Sequence, residues 1–213
     1  MRGQIKAVLF DMDGVLVDAK DWHYEAFNKA LEVFGMPISR SEHLSLYDGL
    51  PTRAKLAMLT EKKHLPVQLH NFLNSLKQSF TKDIITVKCR PVFCVEYALS
   101  RLHQEGYKIA VCSNSIRASI EMMMEKSALL PYIDRIVSNQ DVAKGKPDPE
   151  MYLKAMSTFG LKPCECLILE DNENGIKAAR ASGGNLLVIG EVADTNYFNI
   201  RQKINEIEGA NRA

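Results

Sequence analysis

Short apolar runs of strand length, set apart by helix-like patterns, constrain this chain more than any other feature. Ile5–Phe10 reads IKAVLF, rich in β-branched and aromatic residues and followed by Gly-containing turn material. Such a run predicts a buried strand. Lys108–Cys112 (KIAVC), Arg135–Val137 (RIV), Leu167–Leu169 (LIL) and Leu186–Ile189 (LLVI) repeat the pattern. Between them, Val92, Val95, Leu99 and Leu102 fall at helical spacing. Ile116–Ala128 predicts a helix with Ser115 as its N-cap. Asp148-Pro149-Glu150 supplies a cap, a Pro for the first helical position and an acid for the first turn. Glu173–Ala181 predicts a short helix stopped by Gly183-Gly184. Strands alternating with helices at this spacing predict an α/β fold, a parallel sheet covered on both faces.

One stretch breaks the rhythm. From Ala19 to about Ile85 the pattern is helical, with no convincing core strand. Trp22, Ala26, Phe27, Ala30 and Leu31 form an apolar stripe that ends near Gly35, and Leu56, Leu59, Leu69, Phe72, Leu73 and Leu76 continue it. Asp83–Lys88 (DIITVK) reads equally as a short strand or a linker. The expected organisation is a core of residues 1–17 and 87–213 interrupted by a helical insert at 18–86. An insert on two tethers can act as a lid. The tail after Ile189 reads as a terminal helix or a partly ordered tail.

Composition narrows the partners. Apolar residues make up 46% and charged residues 25%, enough to bury a core. With 27 basic and 26 acidic residues the formal net charge is +1, so no field of one sign favours nucleic acid or an anionic membrane. No apolar stretch approaches the ~20 residues that span a bilayer. The run at Ile5–Phe10 meets Asp11 too early for a signal peptide. The cysteines are odd in number (Cys89, Cys94, Cys112, Cys164, Cys166) and sit mostly in apolar segments, which predicts reduced thiols in a cytoplasmic protein. Cys164 and Cys166 form C-x-C without a second Cys/His pair to complete a zinc site.

The strand ends carry the chemistry. In open parallel sheets, ligands bind beyond the carboxyl ends of the strands. The first strand runs into Asp11 and Asp13, the second into Ser113-Asn114-Ser115 and the fourth into Glu170-Asp171-Asn172. Different strands thus deliver four carboxylates, two hydroxyls and two amides to one rim. Acids so close together predict a hard divalent cation, most often magnesium, which takes oxygen ligands. Lys146 in KGKPDPE, with Lys144 as a neighbouring candidate, supplies a charge that opposes the acids and any bound anion.

DMDGVLVD, SNS, KPDPEMY and EDNENGI, in that order from Asp11 to Ile176, resemble the four motifs of the haloacid dehalogenase superfamily. The likeness extends over Lys6 to about Ile189. The insert after the first motif resembles the small helical cap of the branch that includes β-phosphoglucomutase and phosphoglycolate phosphatase. The resemblance implies a Rossmann-like sheet flanked by helices, an inserted helical cap and a magnesium-dependent phosphoryl-transfer enzyme. It implies that Asp11 attacks phosphorus and carries a transient aspartyl phosphate. Asp13 then protonates the leaving oxygen and later takes a proton from water. Residues two apart in an extended segment share a side, so both acids can face one phosphate. Magnesium is expected on Asp11, the backbone carbonyl of Asp13, and Asp171, with Glu170 a direct or indirect partner. Ser113 and the backbone amide of Asn114 are expected to donate to phosphoryl oxygens, and Lys146 to offset charge in the transition state.

Within the superfamily, Asp13 favours phosphate esters, because dehalogenases need no leaving-group acid. His23 in WHYEAF resembles the HxxAW stretch that begins the cap in this branch, and Arg53 in GLPTRAKL follows Gly49, like the cap loop that meets substrate. Both are expected in substrate binding, with Lys77 a weaker candidate. Ala19 departs from the Ser or Thr usual at its position. The expected activity is hydrolysis of a small phosphate monoester of the sugar phosphate, phosphoglycolate or nucleotide type. A phosphomutase using the same core is the alternative. The expected partner is that small substrate, with no nucleic acid or membrane, for a monomer or weak homodimer.

Overall fold

The structure is a computed structural model and describes residues 4–47 and 50–209. It divides into two compact units, one built from residues up to Asp18 and from Cys89 onward, the other from Ala19–Lys88.

The first unit is organised by a five-stranded sheet in the order β3-β2-β1-β4-β5. Its strands are β1 (Ala7–Phe10), β2 (Lys108–Cys112), β3 (Arg135–Val137), β4 (Cys166–Glu170) and β5 (Asn185–Val188), all paired in parallel. Each expected strand is present, β2 and β3 with the expected ends and the other three with ends shifted by one or two residues. The central β1 and its neighbours are buried on both faces, which is why they read as unbroken apolar runs rather than alternating ones.

Period-two geometry sorts the strand residues. Ala7, Leu9, Ala110, Cys112, Cys166 and Ile168 pack on one face against α7 (Glu150–Thr158) and α8 (Glu173–Ser182). Val8, Phe10, Ile109, Val111, Leu167 and Leu169, on the other face, are equally buried. There α5 (Phe93–Gln104) packs on β2, and α9 (Tyr197–Gly209) packs on α5 and β5. The tail after Ile189 is therefore a docked helix, with Ile200 and Ile204 fully buried.

Two helix starts differ from expectation. Helix α6 (Arg117–Lys126) is capped by Ile116 rather than Ser115. Its first N–H, from Arg117, donates to Gln140 Oε1 at 2.9 Å, so a remote side chain fills the place a local serine was expected to take. At α7, Pro149 is the N-cap and not the first helical residue, while Asp148 Oδ1 accepts from Glu150 N at 3.0 Å. Gly183, at φ 77°, ends α8 as expected.

The second unit is helical: α1 (Lys20–Glu32), a short turn α2 (Arg40–Glu42), α3 (Thr52–Lys63) and α4 (His70–Lys88). Phe27, Leu31, Tyr47, Leu56, Leu59 and Leu73 form its core. The DIITVK segment is neither strand nor linker but the last turns of α4. Its β-branched residues point to a strand locally, yet Thr81, Ile84 and Ile85 fall on the buried face of a helix packed along α1, and packing overrides propensity. No helix among the described residues is long and apolar enough to cross a membrane.

Candidate active site

Register builds the site. Phe10, the last residue of β1, pairs with Val111 of β2 and Leu169 of β4. The next row therefore holds Asp11, Cys112 and Glu170. Asp11 continues the Ala7–Leu9 face and Glu170 the Cys166–Ile168 face, so both carboxylates turn toward α7 and α8. Lys146 closes this row. Its Nζ donates to Asp11 Oδ1 at 2.5 Å, to Glu170 Oε1 at 2.6 Å and to the Cys112 carbonyl at 2.7 Å. An ammonium has three N–H donors, and all are used.

Glu170 is fully buried and enclosed. Besides Lys146, its Oε1 accepts from Tyr152 OH at 2.5 Å, and its Oε2 accepts from Asp171 N at 3.1 Å. Gly175, in the first turn of α8, leaves the space the carboxylate occupies; a Cβ there would lie 1.9 Å from Oε1. The Tyr152 ring also lies under the ammonium, with Nζ 4.9 Å from its centroid.

The loop after β2 positions Lys146 from the other side. Asn114 Oδ1 accepts from Lys146 N at 3.0 Å, and its Nδ2 donates to the Lys146 carbonyl at 3.2 Å. Gly145 permits this pairing, because a Cβ there would sit 2.5 Å from Asn114 Oδ1. Asn114 was expected through its backbone amide; its side chain has this second task. Ser113 is buried and its Oγ accepts from Ser115 N at 3.1 Å. Asp13 is half-buried in the turn after β1, where Gly14 adopts φ 89° and donates to the Val17 carbonyl at 2.7 Å. Asp171 is half-buried beside Asn172, the N-cap of α8.

Electrostatics define what the site can hold. Burial pushes the Asp11 carboxyl well above the usual carboxylate range; Lys146 pulls it back, and Glu170, Asp13 and Asp171 push it further up. Burial works against charge on Lys146 as well, but Asp11 and Glu170 outweigh it and hold the ammonium above its ordinary range. Burial, then Glu170 and Asp11, raise the Tyr152 phenol, which fixes it as the donor to Glu170. Ligand oxygens of Asp11, Glu170 and Asp171 lie within 4.8 Å of one another. Converging hard oxygen donors whose mutual repulsion one lysine only partly offsets fit a divalent cation of the magnesium kind. Three cysteines do not compete for chemistry: burial raises the Cys89 thiol to about 11 and those of Cys112 and Cys166 to about 12, leaving them protonated.

The core unit thus joins Asp11, Lys146, Glu170 and Asp171, with Asn114 holding Lys146 through its backbone. His23 and Arg53 belong to the helical unit. His23, on α1, is half-buried with Nδ1 3.4 Å from Nζ of the buried Lys77 on α4. Arg53 is exposed in the first turn of α3, and Gly49, which anchored its expected loop, lies outside the described residues. Lys144 is exposed. Tyr152 was missed in the sequence. Its signal was present: it shares the apolar face of a predicted helix, and a core tyrosine needs a partner for its hydroxyl.

The chain is similar to known proteins along most of its length. A phosphorylated carbohydrates phosphatase of Thermotoga maritima is 28% identical over 179 residues, covering 84% of this chain and 82% of that protein. The β-phosphoglucomutase of Bacillus subtilis is 28% identical over 193 residues, covering 84% and 80%. Among solved structures, a β-phosphoglucomutase of Clostridium difficile superimposes with a TM-score of 0.82 at 22% identity, covering 96% of this chain and 99% of that one, which establishes the fold. The family model for haloacid dehalogenase-like hydrolases matches residues 8–189, and the chain belongs to that family.

Proposed function

We propose that the protein is a magnesium-dependent phosphatase that hydrolyses a small phosphate monoester through an aspartyl-phosphate intermediate. The carrying observation is the Lys146–Asp11 contact of 2.5 Å at the carboxyl edge of the sheet, beside Glu170 and Asp171. A nucleophilic carboxylate must be ionised and aimed: the buried ammonium aims it and opposes the burial that raises its pKa, and a divalent cation beside it would favour the charged form further.

The protein's own groups account for the steps. Asp11 attacks phosphorus as the bond to the leaving oxygen breaks, and Asp13 gives that oxygen its proton. Water then attacks the aspartyl phosphate, Asp13 takes a proton from the water, and the phosphate product leaves with Asp11 restored. Ser113 and the Asn114 amide hold the phosphoryl oxygens, while Lys146 offsets negative charge spread over them. Asp11, the Asp13 carbonyl, Glu170 and Asp171 would hold magnesium, which would supply a Lewis acid for the phosphoryl group. His23 and Arg53 of the helical unit are assigned to recognition of the rest of the substrate, with Lys77 a weaker candidate. The named activity of the Thermotoga relative supports a sugar phosphate as the substrate class. The free cysteines support a reducing, cytoplasmic setting.

A second reading, a phosphomutase, draws support from the likeness to the Bacillus enzyme. It uses the same core and passes the phosphoryl group to a sugar hydroxyl. A phosphate-release screen over sugar phosphates, phosphoglycolate and nucleotides, with and without magnesium, tests both when paired with assays for isomerised product. Magnesium-dependent release is the expected result. Isomerisation that needs a bisphosphate activator, without release, would select the mutase.

A further inference from the structure

Tyr152 is the residue of the buried cluster to which no role has been given. Its ring packs in the core formed by α7 and the sheet, and its hydroxyl has one partner, Glu170 Oε1, at 2.5 Å. That same oxygen accepts from Lys146 Nζ at 2.6 Å. Two donors thus share one acceptor atom, while the other carboxylate oxygen is occupied by Asp171 N at 3.1 Å. These three donors fix the orientation of the carboxylate, with Gly175 backing it.

We propose that Tyr152 is a positioning residue, whose hydroxyl fixes Glu170 Oε1 so that Lys146 divides its three donors among Asp11, Glu170 and the Cys112 carbonyl. Core packing needs only an aromatic ring at this place. The hydroxyl is a buried polar group, costly unless it is bonded, and its single bond goes to the carboxylate that orients the lysine. Without it, Glu170 has one donor fewer on Oε1 and turns toward Lys146, drawing the ammonium off Asp11. The hydroxyl therefore acts on Asp11 at two removes, through Glu170 and then Lys146.

Tyr152→Phe removes the hydroxyl and keeps the ring, with its packing and its contact to the ammonium. Resting on the proposed phosphatase reading, kcat for phosphate release should fall about tenfold while KM stays within about twofold, the mark of a group that serves the reaction and not substrate binding. Independently of turnover, the Lys146 ammonium, observed by proton–nitrogen NMR in the metal-free protein and assigned by its loss in Lys146→Arg, should exchange with water about tenfold faster. Both effects should vanish when Tyr152→Phe is introduced into Glu170→Gln, because the hydroxyl then has no carboxylate to fix. Unchanged kcat and unchanged exchange in Tyr152→Phe would overturn the proposal. So would an equal loss in both backgrounds, which would make the hydroxyl a packing group independent of Glu170. If the unsubstituted protein releases phosphate from no ester, the phosphatase reading fails, and the ammonium exchange still decides the role of Tyr152.

Discussion

Lys146 Nζ lies 2.5 Å from Asp11 Oδ1, an ion pair buried to 3% and 6% side-chain exposure between residues 135 apart in sequence. Neither charge is stable alone in so dry a place: Asp11 and Glu170 hold the ammonium charged, and the ammonium opposes the burial that favours the neutral Asp11. The pair is also how two loops at the edge of one sheet become a single reactive group.

Asp11→Asn tests the covalent role. An amide has no carboxylate charge and is a poor nucleophile, so phosphate release should fall by at least about 1,000-fold. The amide still accepts from Lys146, so the circular dichroism spectrum should be unchanged. Substantial residual turnover would rule out an aspartyl phosphate.

Gly175→Ala tests the enclosure of Glu170. The new Cβ would stand 1.9 Å from Oε1, and three hydrogen-bond donors prevent the carboxylate from stepping aside cheaply. Denaturant unfolding should show a loss of about 1–3 kcal/mol, the usual scale of overpacking. Phosphate release should fall with it, because Lys146 moves with Glu170. A variant as stable and as active as the parent would show that the carboxylate has room to spare.

Asp171→Ala should chiefly raise the magnesium requirement. Asp11 and Glu170 would remain as ligands in the proposed metal site, so the half-saturating concentration should rise by about tenfold or more, with activity partly restored at high magnesium. An unchanged requirement would place the metal elsewhere.

Asp141 gives a pH-dependent test of the loop that carries Lys146. Its Oδ2 accepts from Ser138 N, Ser138 Oγ and Arg117 Nη2 at 2.8, 2.6 and 2.7 Å. Burial raises the carboxyl, but these Ser138 and Arg117 donors outweigh it and hold it below the usual range. A carboxylate depressed in the folded state stabilises above its unfolded pKa, about 3.9, and loses that contribution as pH falls through the folded value. Asp141→Ala should therefore cost about 1–3 kcal/mol at pH 7. The gap between parent and variant should close in titrations carried below about pH 3. A gap independent of pH would assign the loss to packing.

Much of this was legible in the order of residues. A strand buried on both faces must be largely apolar, so β1, β2 and β4 read as short apolar runs, and the residues at their carboxyl ends have to meet at one rim. Sequence order alone therefore predicts Asp11, Ser113, Asn114, Glu170 and Asp171 at that rim. Backbone periodicity could also mark the helical insert, since its apolar stripe recurs every three or four residues.

Other features were decided only in three dimensions. DIITVK favours a strand by local propensity, and only its place at the end of a helix that packs along α1, with Ile84 and Ile85 buried, makes it helix. Ser115 is a good cap by type, but the first N–H of α6 is met by Gln140, which sequence distance conceals. Lys146 reads as one more loop lysine until the register of β1 with β2 and β4 brings Asp11, Cys112 and Glu170 into one row around it. The sequence by itself determined which residues are apolar or charged and with what period, and so the sheet, its rim and the acids on it. Tertiary structure decided which of those charges share a buried hydrogen bond, because partners such as Tyr152, Gly175 and the Asn114 side chain depend on distances of a few ångströms between segments that no local pattern relates.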